Sequence, residues 1–191
     1  MKIEFIYSPI YDNLLTEMSK KEFTESQIKE MSFYKEEIEA IWKKDEKKII
    51  SEIEKVAKLK FKDNKKCHVV KHMKYTALSQ PLTIKKLHLQ RANSVLIHEL
   101  IHVLLEDNKD KVEKLIAKTY PEDSVEFKIH VPVLLITRRV VENLYGENEF
   151  KTILDKEMHI DLLNAVWPEV NEIYNKFNNN IVNFLKKNNL K

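Results

Sequence analysis

Three polar residues stand inside the run Val95–Leu105, which reads VLIHELIHVLL: His98, Glu99 and His102. A helix that is apolar on nearly every side must be buried. Burying two imidazoles and a carboxylate without partners costs several kcal/mol, so the pattern calls for something that engages them. His98 and His102 are spaced i, i+4, which puts both rings on one helical face, one turn apart. Glu99 follows directly, a step round the helix. The spacing is H-E-x-x-H, in which two imidazoles hold a metal ion and a carboxylate serves as a general base.

No other set of residues offers comparable chemistry. His68 and His72 fall on one predicted strand, where an i, i+4 separation is about 13 Å, too far to share an ion. The single cysteine, Cys67, excludes an intrachain disulfide and a cysteine-based zinc site. The single glycine, Gly146, rules out glycine-rich phosphate loops. His88 and His159 are expected to be structural. Tyr145, Arg138, Arg139 and His159 are all eligible as hydrogen-bond donors to a transition state, and the sequence does not choose among them.

Composition sets the frame. The chain has 191 residues, 43% hydrophobic and 33% charged, with a net charge of +3. That is enough apolar material for a core. The lysines interleave with glutamates rather than gathering in a patch, so neither nucleic acid nor an anionic membrane is expected as a partner. The start lacks the apolar core of a signal peptide, and no apolar run approaches the ~20 residues of a membrane span. A cytoplasmic location is expected; oligomeric state is not legible.

The elements that must position the helix follow from periodicity. Lys2–Tyr7 alternates as a strand. Leu14, Leu15 and Met18 mark a short helix. Thr24–Lys44 is a longer one, with Thr24 and Gln27 as a capping box. Asp45 ends or restarts it before the period continues to about Leu59. Phe61–Lys66 has turn composition, Cys67–Tyr75 reads as a strand, Thr76–Pro81 as a loop, and Leu82–Leu89 as a second strand. Asn93 or Ser94 is the expected cap of the Val95–Leu105 helix. Lys109–Tyr120 is a short amphipathic helix. Val133–Tyr145 is heavily apolar and stops at Gly146, with Pro132 kinking or dividing its approach. Asp155–Leu190 is helical, with an interruption at Trp167-Pro168. The expected fold is α+β: a helix-rich single domain over 1–191, with a small, mostly antiparallel sheet packed on the His98–His102 helix. Helical segments are expected at about 12–60 and about 155–190.

His98-Glu99-Leu100-Ile101-His102 resembles the active-site helix of the zincin metallopeptidases, in a small gluzincin-like form. Ser79–Ile84 resembles the edge strand that lies above the cleft in those enzymes and pairs with extended peptide. The resemblance implies a zinc-dependent peptidase acting on a peptide or protein. His98 and His102 would ligate Zn2+. The metal would lower the pKa of its water toward about 7, and Glu99 would take the proton as general base. A third ligand is required. The metzincin continuation is absent, because residues 103–108 read VLLEDN. His130, Glu126 and Glu122 lie 28, 24 and 20 residues beyond His102. His130 ranks first, as a lone imidazole in an apolar run whose His130-Val131-Pro132-Val133 resembles a segment of small zincin-like proteins. Glu126 ranks second and Glu122 third. Two other functions are compatible with the same helix: a non-catalytic binding or regulatory protein that keeps the metal, and a zinc hydrolase with a non-peptide substrate.

Overall fold

The structure, a computed structural model, describes residues 1–110, 112, 120, 122–157 and 161–176. The chain order is β1 (Ile3–Tyr7), α1 (Pro9–Met18), α2 (Glu25–Ala57), β2 (Lys65–Val70), β3 (Ala77–Ser79), β4 (Leu82–Lys85), α3 (Leu89–Asp107), α4 (Val125–Tyr145), α5 (Glu147–Glu157) and α6 (Asp161–Lys176). The fold is α+β and helix-rich. It divides into two compact units, Met1–Lys48 with Phe61–Val103, and Ile49–Lys60 with Leu104–Lys191. The divisions fall within the continuous helices α2 and α3.

The first unit contains the sheet, in the order β1-β2-β4-β3. β1 runs parallel to β2, with Phe5 opposite Cys67, and β2 runs parallel to β4, with Val69 opposite Ile84. Only β3 is antiparallel, with Leu78 opposite Thr83. The sheet is therefore mostly parallel, which corrects the expected mostly antiparallel one. The cause is the connection: α1 and α2 together carry the chain back across the sheet before β2 starts, and a long helical crossover returns a strand in the same direction. The Ser79–Ile84 reading is corrected as well. The edge is the three-residue β3, and Leu82–Lys85 lies inside the sheet between β2 and β3.

Alternation decides which side is core. Ile3, Phe5, Cys67, Val69, Leu82 and Ile84 share one face and are buried. Met31, Tyr34, Ile38 and Trp42 of α2 are buried too. Polar bonds tie α2 to its surroundings: Glu46 accepts from the Ile3 amide at 2.7 Å, and the Tyr34 hydroxyl accepts from the Leu87 amide at 3.1 Å. On the opposite face, Tyr11 of α1 sets its ring edge-on to His68 and its hydroxyl 3.2 Å from Thr83 Oγ1.

Several expected boundaries move. α2 passes through Asp45 without a break, because Trp42, Ile49, Ile50 and Ile53 continue one buried stripe. Gln27 is no capping-box partner: its side chain is buried and donates to Asp12 Oδ2 at 3.0 Å and Thr16 Oγ1 at 3.3 Å. β2 stops at Val70, where the next amide, of Lys71, donates to Asp12 Oδ1 at 2.8 Å. His72 therefore lies outside the strand, and the shared strand face expected for His68 and His72 does not exist. The expected loop 76–81 contains β3, and β4 ends four residues before Leu89. α3 starts at Leu89 rather than after Asn93 or Ser94.

In the second unit α4 is capped by Ser124, whose Oγ accepts from the Phe127 amide at 3.1 Å, and it ends at Gly146 with φ +90°. Positive φ is cheap for glycine alone. α4 runs continuously through Pro132, and Val131–Thr137 are all buried. α5 and α6 pack on α4. Phe150 and Trp167 meet edge to face at 5.6 Å between centroids. The expected interruption at Trp167-Pro168 is absent, since α6 continues through Pro168. The Lys109–Tyr120 helix, His159 and the end beyond Lys176 lie largely or wholly outside the described residues. No described helix is long and apolar enough to cross a membrane.

Candidate metal centre

α3 owes its position to its apolar surface. Leu96, Ile97, Leu100, Ile101 and Leu104 are completely buried. That burial carries His98 inside with them, 8% exposed, while His102 is half-buried. One helical turn brings the rings to 4.9 Å between centroids and the two Nε2 atoms to 3.1 Å. Two ligand atoms about 2.0–2.1 Å from a tetrahedral zinc lie about 3.3 Å from each other, so this separation suits a shared ion.

His130 on α4 completes the group. One ring nitrogen from each of His98, His102 and His130 lies within 4.8 Å of the others. The Nδ1 of His130 is 2.7 Å from the Glu126 carbonyl oxygen. A carbonyl can only accept, so Nδ1 carries the proton and the lone pair sits on Nε2. A backbone carbonyl fixing the tautomer is the usual support of a ligating imidazole. Burial also holds the His130 imidazole below the ordinary histidine range, which keeps it neutral and able to ligate. The donor set fits a borderline transition metal: three imidazole nitrogens suit zinc, copper, nickel or iron better than magnesium or calcium.

Glu99 is half-buried and makes no hydrogen bond or ion pair among the described residues. Burial pushes its carboxyl up to about 7. The Glu99 charge is felt by Cys67 in β2, whose fully buried thiol is pushed up by burial first and by that charge second. Cys67 is an electrostatic neighbour that sequence spacing did not reveal, because it stands on a different element of the fold.

The other candidates fall elsewhere. Glu126 and Glu122 are exposed, and neither belongs to the three-residue group. What Glu126 contributes is its main-chain carbonyl. Arg138 is committed to Glu142 Oε1 at 3.0 Å and Asn171 Oδ1 at 2.7 Å, with its guanidinium 3.6 Å from the Tyr174 ring centroid. Arg139 donates to the Tyr174 hydroxyl at 3.5 Å, and Tyr145 is 40% exposed. His88 is exposed before α3 and accepts through its carbonyl from the Arg91 and Ala92 amides. His159 lies outside the described residues.

No family model, no curated protein and no solved structure matches the chain. The likeness to zincins therefore rests on the motif and on the three imidazoles, and it assigns no family.

Proposed function

We propose that this chain is a zinc-dependent hydrolase of peptide bonds, with His98, His102 and His130 as metal ligands and Glu99 as general base. The observation that carries the reading is the convergence of three imidazole nitrogens from residues far apart in sequence. Zinc in such a site supplies Lewis acidity, activating water near neutral pH and polarising a carbonyl. Glu99 takes the proton of the attacking water and delivers it to the leaving amine. A carboxylate half-buried and without a partner among the described residues suits that task, since no ion pair there competes for it. A protein that only stores or senses a metal would need the imidazoles but not this carboxylate.

The test uses zinc-loaded protein and a mixed peptide library read by mass spectrometry. Cleavage by the wild type, lost in Glu99→Gln while zinc content is unchanged, supports the reading. Stoichiometric zinc with no cleavage by the wild type supports the metal-binding alternative instead.

A further inference from the structure

The face of α3 that carries the two histidines extends toward the helix start. Arg91 is seven residues before His98 and eleven before His102. At about 100° per residue, Arg91 projects between the two histidines, about 20° from each, and about 10 Å along the axis from His98. Half-buried Ser94 and Val95 occupy the turn between, and the Ser94 hydroxyl is tied back to the Arg91 carbonyl at 2.9 Å.

Arg91 is also half-buried, yet among the described residues its guanidinium has no hydrogen bond and no ion pair. The other two arginines are both engaged, Arg138 with Glu142 and Asn171, Arg139 with Tyr174. Lysine provides the rest of the 33 basic side chains. Arginine is the side chain whose planar fork matches a carboxylate with two parallel hydrogen bonds. A half-buried arginine on the ligand face, with its fork uncommitted among the described residues, is a candidate anion site.

We infer that Arg91 binds a carboxylate of the substrate and so sets specificity, an inference that rests on the peptide-hydrolase reading of the same site. Extended peptide advances about 3.3 Å per residue. The metal is shared by His98 and His102, so it stands about 10 to 16 Å along the axis from Arg91, and with the reach of the arginine side chain the bound carboxylate falls about two to four residues from the bond cut at the metal. The carboxylate belongs either to an acidic side chain at that position or to a free C-terminus.

The experiment measures binding apart from turnover. A labelled peptide series is titrated by fluorescence anisotropy into zinc-loaded Glu99→Gln protein, with and without Arg91→Met or Arg91→Lys. One arm exchanges Glu for Gln at the second, third and fourth residues. The other exchanges a C-terminal carboxylate for an amide. Charge-assisted hydrogen bonds predict at least about tenfold tighter binding of one carboxylate form over its amide partner. Arg91→Met should remove that preference while leaving zinc content and the amide peptide's affinity unchanged, and Arg91→Lys should keep part of it. The arm that responds identifies the source of the carboxylate. Equal affinities in both arms, equal weakening of every peptide by Arg91→Met, or no binding at all overturns the assignment. A carboxylate preference that depends on Arg91 in a wild type that cleaves nothing upholds the anchor and sinks the hydrolase. Cleavage without any preference does the reverse.

Discussion

Replacing Glu99 by Gln should stabilise the metal-free protein, and increasingly so as pH rises. The Glu99 carboxyl stands at about 7 in the fold against 4.5 when solvated, because burial disfavours its charge. Between those values the folded chain holds a proton that the unfolded chain releases. A raised pKa means stability that is full below 4.5 and lost as pH climbs through 7. The interval corresponds to a ceiling of about 3 kcal/mol at pH 8. Partial access of water lowers the expected effect to about 1–3 kcal/mol. Glutamine keeps the shape and removes the charge. The assay is urea unfolding of chelator-treated wild type and Glu99→Gln at pH 5 and pH 8. The variant's advantage should grow by about 1–2 kcal/mol between the two, and saturating zinc should shrink it by offering the carboxylate a cation. An advantage that fails to grow with pH, or a variant less stable at pH 8, refutes the idea of a desolvated, partnerless carboxylate.

His130→Ala should abolish most of the stabilisation by zinc, which for the wild type reaches about 2.7 kcal/mol when free zinc is a hundredfold above Kd; thermal unfolding with and without metal reads it. Asp12→Ala strands the Lys71 amide and leaves the buried Gln27 side chain only its bond to Thr16, so urea unfolding should show a loss of about 1–3 kcal/mol. Lys71 and Lys86 hold the Glu30 carboxyl down at about 2. A depressed pKa means stability present above 4.5 and lost as pH falls toward 2. These groups are partly exposed, so Glu30→Gln should cost under about 1 kcal/mol at pH 7, and the cost should vanish near pH 2.

The parts of this molecule that periodicity controls were legible in the sequence. Ile28 to Trp42 and Ile49 to Val56 marked α2, and the apolar run around His98 marked a buried helix. Residues 65–85 were harder. Their apolar positions marked β2 and β4 but not the three-residue β3, and gave neither direction nor order. Direction came from the α1–α2 crossover, and order from the short β3 placing β4 inside the sheet. Side-chain bonding also redrew local expectations, as when Asp12 drew Gln27 away from a cap and met the chain where β2 ends. The His98–His102 pair needed only helical spacing. His130 ranked first in the sequence as the lone imidazole of an apolar run, but only tertiary structure separates it from Glu126, by bringing its ring to the other two while Glu126 stays exposed. Arg91 was open to the same seven-residue arithmetic, but its lack of a partner among the described residues shows only in three dimensions.

The central claim is that His98, His102 and His130 together hold one metal ion. Anomalous diffraction at the zinc edge from crystals of the zinc-loaded protein tests it most directly. The account predicts one strong peak per chain with an imidazole nitrogen of each of the three residues about 2.0–2.1 Å away. No peak, a peak elsewhere, or an ion held by a carboxylate of Glu126 or Glu122 in place of His130 contradicts it.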